Sequence, residues 1–194
     1  ETLILFPKLQ RYNVPAGEHL QIESLILPET RAWSNAIDPN EISIIREFIF
    51  NELDMRKISV HFGNKIYISR KKALRRKPLN EIELENFLDE NGIKSICLED
   101  YSFLEQVSIL RSAEFVSGIH GAGLANAIFM KSGGKIIELS PSIEHSKDFR
   151  ISFWRIANVV KAEYAILFCE TVANSDNIYD EDILVEVEKL RQLI

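Results

Sequence analysis

The stretch from Glu114 to Leu139 constrains the fold more than any other part of the chain. An apolar run over 115–119 ends at His120 and is followed by a glycine-rich turn, a segment with helical spacing of apolar residues, and a second apolar run over 135–139. This order predicts a strand, a turn, a helix and a strand, which is the repeating unit of parallel sheets. We therefore expect an α/β fold.

The same alternation runs through the chain from residue 65 onward. Predicted strands cover 65–69, 93–98, 115–119, 135–139 and 164–168, and predicted helices cover 80–91, 102–112, 122–130, 149–161 and 179–193. Upstream, strands are expected at 2–6 and 22–27, and a helix over 40–54 with Asp38 as its cap and Pro39 in its first turn. Five strand–helix units predict one Rossmann-like parallel sheet with helices on both faces.

Composition narrows the class of protein. The 194 residues are 46% hydrophobic, which suits one domain with a substantial core, and the net charge of -6 argues against nucleic acid as a partner. No apolar run approaches the roughly 18 residues of a membrane helix. Cys97 and Cys169 lie in apolar runs, no N-x-Ser/Thr site occurs, and no signal peptide is expected. Two buried thiols fit a reducing compartment, so a cytoplasmic location is expected.

The turn Gly121-Ala122-Gly123 and the helix after it form a pattern typical of phosphate binding. Glycine lets a ligand approach the backbone, and a helix N-terminus directs unpaired N–H groups and a positive dipole at the same place. With Asn126 the turn also nearly matches the dinucleotide fingerprint, and Glu138 at the end of the next strand is the acid expected to contact a ribose.

His120 is the last residue before this turn and is expected to face the ligand crevice. A histidine there can bond to a phosphate or sugar oxygen, or can act as a general acid or base near neutral pH. The alternative is that the ring only satisfies a neighbouring loop carbonyl. Its position beside the glycines favours the functional interpretation.

A basic loop follows the first strand of the regular series. Six of the eight residues from Arg70 to Lys77 are Lys or Arg, although the chain is acidic overall. The loop leaves the carboxyl end of a strand, where open α/β sheets bind ligands, and guanidinium groups there can bind a diphosphate bidentately. The alternative is a solvated loop or a basic targeting-type run.

The triplet Asp180-Glu181-Asp182 matches the acidic motif of metal-dependent glycosyltransferases. Because it opens a predicted helix instead of ending a strand, helix capping is the simpler explanation. No Cys/His cluster has metal-ligand spacing. With guanidinium groups available to neutralise a diphosphate, a metal ion is not needed, and we predict neither a metal ion nor a resident cofactor.

Three segments, 67–81, 99–130 and 133–141, together resemble the C-terminal half of family-61 glycosyltransferases. The matching residues are, in order, Ser69 with Arg70, Arg76 (Arg75 in an alternative alignment), Asn80 with Glu81, Ser102-Phe103 with Gln106, His120 to Asn126, Phe129-Met130 and Glu138. The match rests on the order and spacing of several elements, which makes it more specific than one short motif.

The resemblance implies the GT-B architecture, in which two Rossmann-like halves face each other across a cleft and the C-terminal half binds the nucleotide sugar. It also implies an inverting transferase. We expect residues 1–34 to be the end of an acceptor-binding half or a linker, and residues 35–194 to be the donor domain. The thiols, the lack of sequons and the lack of a leader favour a cytoplasmic, bacterial type that acts in capsular polysaccharide synthesis.

The partners that the resemblance implies are a nucleotide sugar, with a UDP-sugar as the expected donor, and a glycan or polysaccharide acceptor. Peripheral membrane association of the full protein is left open. Donor contacts are expected from Ser69, Arg70, Arg76, Asn80, Gly121, Ala122, Gly123, Asn126 and Glu138, and the catalytic candidate is His120. Arg70 and Arg76 are expected to neutralise the diphosphate as it leaves.

Two alternatives from other functional classes stay open. The near-fingerprint at Gly121 also suits an NAD-dependent oxidoreductase or epimerase. A non-catalytic Rossmann-like module that assembles with polysaccharide enzymes would share the same fold. Finding the Arg70 loop and His120 on opposite faces of the sheet would favour that module.

Overall fold

The computed structural model describes residues 12–24, 38–141, 152–172 and 180–194. The chain divides into two compact units, Glu1–Ala36 and Ile37–Ile194. In the described part of the first unit, the Glu18 N–H donates to the Pro15 carbonyl across a turn. Residues 22–24 are not extended into a strand, so that part of the strand predicted over 22–27 is wrong. The predicted strand over 2–6 and residues 25–27 lie outside the described residues.

The second unit is built on a six-stranded sheet. Its strands are β1 (Lys65–Ile68), β2 (Lys94–Ile96), β3 (Phe115–Ile119), β4 (Lys135–Pro141), β5 (Glu163–Thr171) and β6 (Ile183–Leu184). They lie in the order β2-β1-β3-β4-β5-β6. The first five are parallel and β6 is antiparallel to β5. The prediction of a mixed α/β fold with a mostly parallel sheet is confirmed.

A short 3₁₀ turn, Leu98–Asp100, follows β2, and longer helices lie before, between and after the strands. They are α1 (Pro39–Met55), α2 (Glu81–Glu90), α3 (Phe103–Arg111), a 3₁₀ helix (Ala122–Phe129), α4 (Ser152–Val159) and α5 (Val187–Arg191). The predicted start of α1 is confirmed, because the Asp38 carboxylate accepts a 2.8 Å bond from the Asn40 N–H and Pro39 is the first helical residue.

Two helix predictions need correction. Residues 122–129 form a 3₁₀ helix in place of the α-helix predicted over 122–130. The helix predicted over 179–193 is confined to α5, because the chain before it pairs as a strand. The Ile183 N–H donates to the Lys77 carbonyl, and the Ile183 carbonyl accepts from the Leu79 N–H. This long-range pairing overrides the local helical pattern.

Helices cover both faces of the sheet. On one face, buried strand side chains such as Tyr67, Ile137 and Leu167 form a core with α2 and α5. On the other face lies the 3₁₀ helix, whose Leu124 side chain is 3.8 Å from a Cβ built at Gly118 in β3. Helices α3 and α4 both contact this 3₁₀ helix. The alternating direction of strand side chains thus divides the core into two layers.

The strand order creates a switch point between β1 and β3. The chain passes from β1 to β2 on one side, then crosses to β3 on the other side of β1. In open doubly wound sheets, ligands bind at the carboxyl ends of the strands where the order reverses in this way. Ser69 follows β1 and His120 follows β3, so both lie at that edge, as the sequence predicts.

The two glycines before β4 differ sharply in their surroundings. A Cβ at Gly134 would lie 2.3 Å from the Glu114 carbonyl oxygen, whereas no atom of the described residues lies within 4 Å of a Cβ at Gly133, whose φ is +81°. We expect Gly134→Ala to lower the free energy of unfolding by at least about 3 kcal/mol through overpacking against backbone. Gly133→Ala should cost about 1–2 kcal/mol from left-handed strain alone. Urea unfolding measures both, and equal costs would contradict the close approach of β4 to Glu114.

Candidate functional site

The chain turns sharply as it leaves β1. Ser69 is buried, its N–H donates to the Ile96 carbonyl, and its Oγ accepts a 3.1 Å bond from the Lys71 N–H. The Ala73 N–H then donates to the Arg70 carbonyl. The Ser69 hydroxyl therefore shapes the start of the basic loop.

The guanidinium groups of Arg70 and Arg76 converge on Gly121. A Cβ built at Gly121 would lie 3.2 Å from Nη1 of Arg70 and 3.5 Å from Nη1 of Arg76. Arg76 also donates from Nη1 to the His120 carbonyl at 3.3 Å, and Arg70 donates from Nε and Nη2 to the Arg75 carbonyl. The loop after β1 and the turn after β3 therefore meet, with two cations at their junction.

The two guanidinium groups at this junction repel each other. Burial, followed by the nearby positive charge of Arg76, lowers the pKa of Arg70 below its usual value. Among the described residues, buried Nε of Arg76 has no hydrogen-bond partner, and a carboxylate oxygen of Asp180 lies 4.0 Å from it. Two partly buried like charges cost free energy that a bound anion recovers. The arrangement is suited to a phosphate or diphosphate.

Other cations of the loop pair with carboxylates around the junction. Lys71 pairs with Glu85, and Lys72 pairs with Asp100. These pairs are exposed, so each adds little stability. Because both lysines pair elsewhere, Arg70 and Arg76 are the two cations of the loop that lie at the glycine turn.

Asp180 is a site residue whose role the sequence did not predict. Its carboxylate lies 2.7 Å from Nη1 of Arg75, and the neighbouring Asp182 accepts from the Lys77 N–H. The explanation of this triplet as a helix cap is wrong, because the residues after it form β6. The acidic triplet is visible in the sequence, but its assignment to a helix did not predict its contacts with the basic loop.

The His120 side chain contacts the buried carboxylate of Glu138. Its Nδ1 lies 2.5 Å from Oε1 of Glu138, and the Tyr164 hydroxyl donates to Oε2 of Glu138. Glu138 is 1% exposed and His120 is 8% exposed. Strand β4 continues to Pro141, so Glu138 lies within the strand. The prediction that Glu138 lies at the end of the strand is wrong. Both of its oxygens are engaged inside the protein, which does not favour the ribose contact predicted for it.

Two predicted donor ligands have structural partners. The Asn80 amide donates to the Val185 carbonyl at 2.8 Å and accepts from the Val185 N–H, which fastens the start of α2 to the C-terminal segment. The Asn126 amide donates to the Gln106 side chain at 3.0 Å. Donor contacts for these two residues stay predictions.

The turn after β3 presents small residues at the junction. Gly121 is the N-cap of the 3₁₀ helix, its backbone is extended, and the following Ala122 is exposed. A side chain at Gly121 would contact both guanidinium groups. Gly123 approaches Ile68 of β1, with 3.2 Å between its built Cβ and Cγ2 of Ile68. Gly121 thus lets both guanidinium groups come close to the backbone, and Gly123 permits close packing against β1.

Comparison with known proteins assigns this chain to a family. The family model described as Glycosyltransferase 61 matches residues 2–137, which include both the basic loop and the glycine turn. The chain belongs to glycosyltransferase family 61. The resemblance predicted from the motif order is confirmed, and the family is one of transferases.

Named relatives of this family-61 chain come from vertebrates. The proteins named protein O-linked-mannose beta-1,4-N-acetylglucosaminyltransferase 2 from Canis lupus familiaris and Homo sapiens are each 29% identical to it over 108 residues, and the Mus musculus protein is 28% identical. The matched segment covers 54% of this chain and 19% of those relatives. The chain therefore spans a minor part of the length of the relatives it matches.

The described residues of this family-61 chain contain no group of three or more His, Cys, Asp or Glu side chains placed to hold a metal ion. The prediction that the site works without a metal stays a prediction. Within the same residues, no helix is both long enough and apolar enough to cross a bilayer.

Filling the space at Gly121 tests the anion site directly. We expect Gly121→Ala to weaken binding of inorganic pyrophosphate about tenfold, because the new methyl group displaces a guanidinium that makes a charge-assisted contact. Stability should change little, since the nearest atoms are the ends of flexible side chains. Isothermal titration calorimetry measures the affinity, with Ala125→Ser, an exposed change on the same 3₁₀ helix, as control. Equal affinities for both variants and wild type would place the anion elsewhere.

Proposed function

We propose that this chain binds a nucleotide sugar at the switch point between β1 and β3 and serves as the donor-binding half of an inverting GT-B glycosyltransferase. The observation that carries the proposal is the convergence of Arg70 and Arg76 on Gly121. This convergence brings the cationic loop and the glycine turn together at the edge of the sheet where doubly wound folds bind ligands. Membership of family 61 supports the reaction class.

The chemistry that this junction supports is departure of a nucleoside diphosphate. When the bond between the anomeric carbon of the donor sugar and the diphosphate breaks, negative charge develops on the departing diphosphate oxygen. Guanidinium groups already fixed at that place stabilise the transition state without reorganising. Arg70 and Arg76 are held by backbone carbonyls of Arg75 and His120, so they are preorganised for this role. In this account the two cations supply the charge that a metal ion would otherwise provide.

The identities of donor and acceptor are part of the proposal. We propose a UDP-sugar as donor and a glycan or polysaccharide as acceptor. The relatives named above carry in their names the transfer of N-acetylglucosamine to O-linked mannose, which is consistent with a glycan acceptor. We further propose a cytoplasmic, capsule-type role, with the acceptor bound by a second Rossmann-like half. A residue of that half would supply the base that activates the acceptor hydroxyl.

The two alternative functions fit the geometry less well. The acid expected to bind the ribose of a dinucleotide, Glu138, is buried and bonded to His120 and Tyr164. A non-catalytic module would be favoured by a basic loop remote from His120, but Arg76 donates to the His120 carbonyl. The observed site therefore favours the glycosyltransferase function.

The contribution of each arginine is measurable by nucleotide titration. We expect Arg70→Ala and Arg76→Ala each to weaken UDP binding by about ten- to a hundredfold, which corresponds to about 1.5–3 kcal/mol for a hydrogen bond to a charged group. Lys72→Ala is the matched control, because Lys72 lies in the same loop but pairs with Asp100. It should lower UDP affinity less than about threefold through long-range charge alone.

Titrating uridine beside UDP separates the phosphate contacts from contacts to the base. The arginine variants should leave the weak affinity for uridine unchanged, because the proposed contacts are to phosphate only. Equal loss of UDP affinity in Lys72→Ala and Arg76→Ala would show that the loop acts only through its net charge. Unchanged UDP affinity in both arginine variants would remove the junction from the donor site.

A further inference from the structure

A second polar cleft lies at the opposite edge of the sheet from the proposed donor site. It has a volume of about 600 Å³ and lies between the C-terminal ends of α1 and α3 and the segment that leads into β1. Its lining includes residues 57–61, which precede β1, and Ser112, which precedes β3, so the cleft is at the amino edge. The length of β1, about 13 Å for four residues, separates this edge from Ser69. The proposed donor contacts therefore do not use the cleft.

The charges around this cleft favour an anionic ligand. Of the described residues that line it, three can carry positive charge, Lys57, His61 and Arg111, and one is an acid, Asp54. Oδ1 and Oδ2 of Asp54 accept from Nη1 and Nη2 of Arg111 at 2.6 and 3.2 Å. The hydrogen bond from Arg111 lowers the pKa of Asp54, so the carboxylate stays ionised and orients the guanidinium. A guanidinium has five N–H groups, so these two bonds leave donors for a ligand.

Lys57 lines the cleft from a backbone conformation that favours glycine or asparagine. Its φ is +55°, its N–H donates to the Asp54 carbonyl, and the Ile58 N–H donates to the Leu53 carbonyl. These bonds end α1 in the manner for which glycine is the usual residue. A lysine in this conformation costs free energy that glycine avoids, and residues held in this way cluster at ligand sites. The conformation of Lys57 therefore supports a ligand role for the cleft independently of its charge.

The rest of the lining suits a sugar ring. The Ser112 hydroxyl lies 3.3 Å from Nδ1 of His61, and the Ser108 hydroxyl bonds to both the N–H and the carbonyl of Val60. Val60 and Leu53 add apolar surface to the same cleft. The hydroxyls of a pyranose can exchange hydrogen bonds with such polar groups, while its C–H face packs on the apolar side chains. A carboxylate on the ring would bind the cations.

We propose that this cleft binds an acidic saccharide, a pyranose that carries a carboxylate, through Lys57, His61 and Arg111. Because the cleft lies at the edge opposite the donor junction, the saccharide bound there is not the reacting sugar. Its role rests on the proposed function: it is a remote unit of the acceptor chain, and its binding raises the effective concentration of that chain at the enzyme. Binding of the saccharide itself does not depend on the donor site.

Backbone amide NMR of the whole chain tests the proposal with methyl β-D-glucuronide as the probe. Methyl β-D-glucoside has the same ring without the carboxylate, and acetate has the carboxylate without the ring. We expect the glucuronide to shift the amides of residues 57–61 and 108–112 with a Kd of about 1–10 mM. The glucoside and acetate should each bind at least about tenfold more weakly, because each lacks one set of contacts.

Lys57→Asn separates the ligand contact from the stability of the fold. Asparagine accepts the left-handed conformation, so the melting temperature should not fall. Affinity for the glucuronide should fall about five- to tenfold, because a charged donor is lost. Lys189→Gln is the control, because it removes an exposed lysine that pairs with Glu186 at the N-terminus of α5, a helix on the other face of the sheet. It should change the affinity less than about twofold through long-range charge alone.

The outcomes distinguish this inference from the proposed function. Equal affinity for the glucuronide and the glucoside, or for the glucuronide and acetate, would overturn the assignment of an acidic saccharide. Unchanged glucuronide affinity in Lys57→Asn, shifts confined to residues 69–77 and 121–123, or no shift at about 50 mM glucuronide would overturn the site itself. Arg76→Ala should bind the glucuronide as wild type does. Failure of UDP to bind, with glucuronide bound in the cleft, would contradict the proposed function and leave this site intact.

Discussion

The close approach of two guanidinium groups at Gly121 is the constraint on which the site depends. Arg70 and Arg76 repel each other, and partial burial of Arg70 increases the cost of that repulsion. The protein offsets the cost with backbone carbonyls of Arg75 and His120 and with the carboxylate of Asp180. These contacts hold both guanidinium groups beside Gly121, the position at which we propose that an anionic ligand binds.

A distant segment holds the basic loop in place. Asp182 accepts from the Lys77 N–H, and Ile183 exchanges backbone bonds with the residues on either side of Pro78. Two residues later, the Val185 backbone bonds to the Asn80 amide at the start of α2. The loop after β1 is therefore stabilised by residues about a hundred positions further along the chain. This connection explains how an exposed, highly charged loop keeps two arginines in one geometry.

The sequence predicted those features that depend on local periodicity. Strand–helix alternation located β1 to β5, and the glycine turn and basic loop identified the two loops that meet at the switch point. Contacts set by sheet register were not predictable in this way. Glu138 has the pattern of a ribose-binding acid, but its pairing with Tyr164 depends on how β4 lies beside β5. Asp180 precedes a helix-like stretch, yet pairing of Ile183 with the loop after β1 makes it a partner of the arginines.

The central claim is that the diphosphate of the donor binds between the loop after β1 and the turn after β3. Backbone amide NMR during titration with UDP, and separately with uridine, tests it most directly. The account predicts that UDP, but not uridine, perturbs the amides of residues 69–77 and 121–123. Perturbations confined to the cleft of about 600 Å³ around His61 and Arg111, beside the segment that leads into β1, would contradict it.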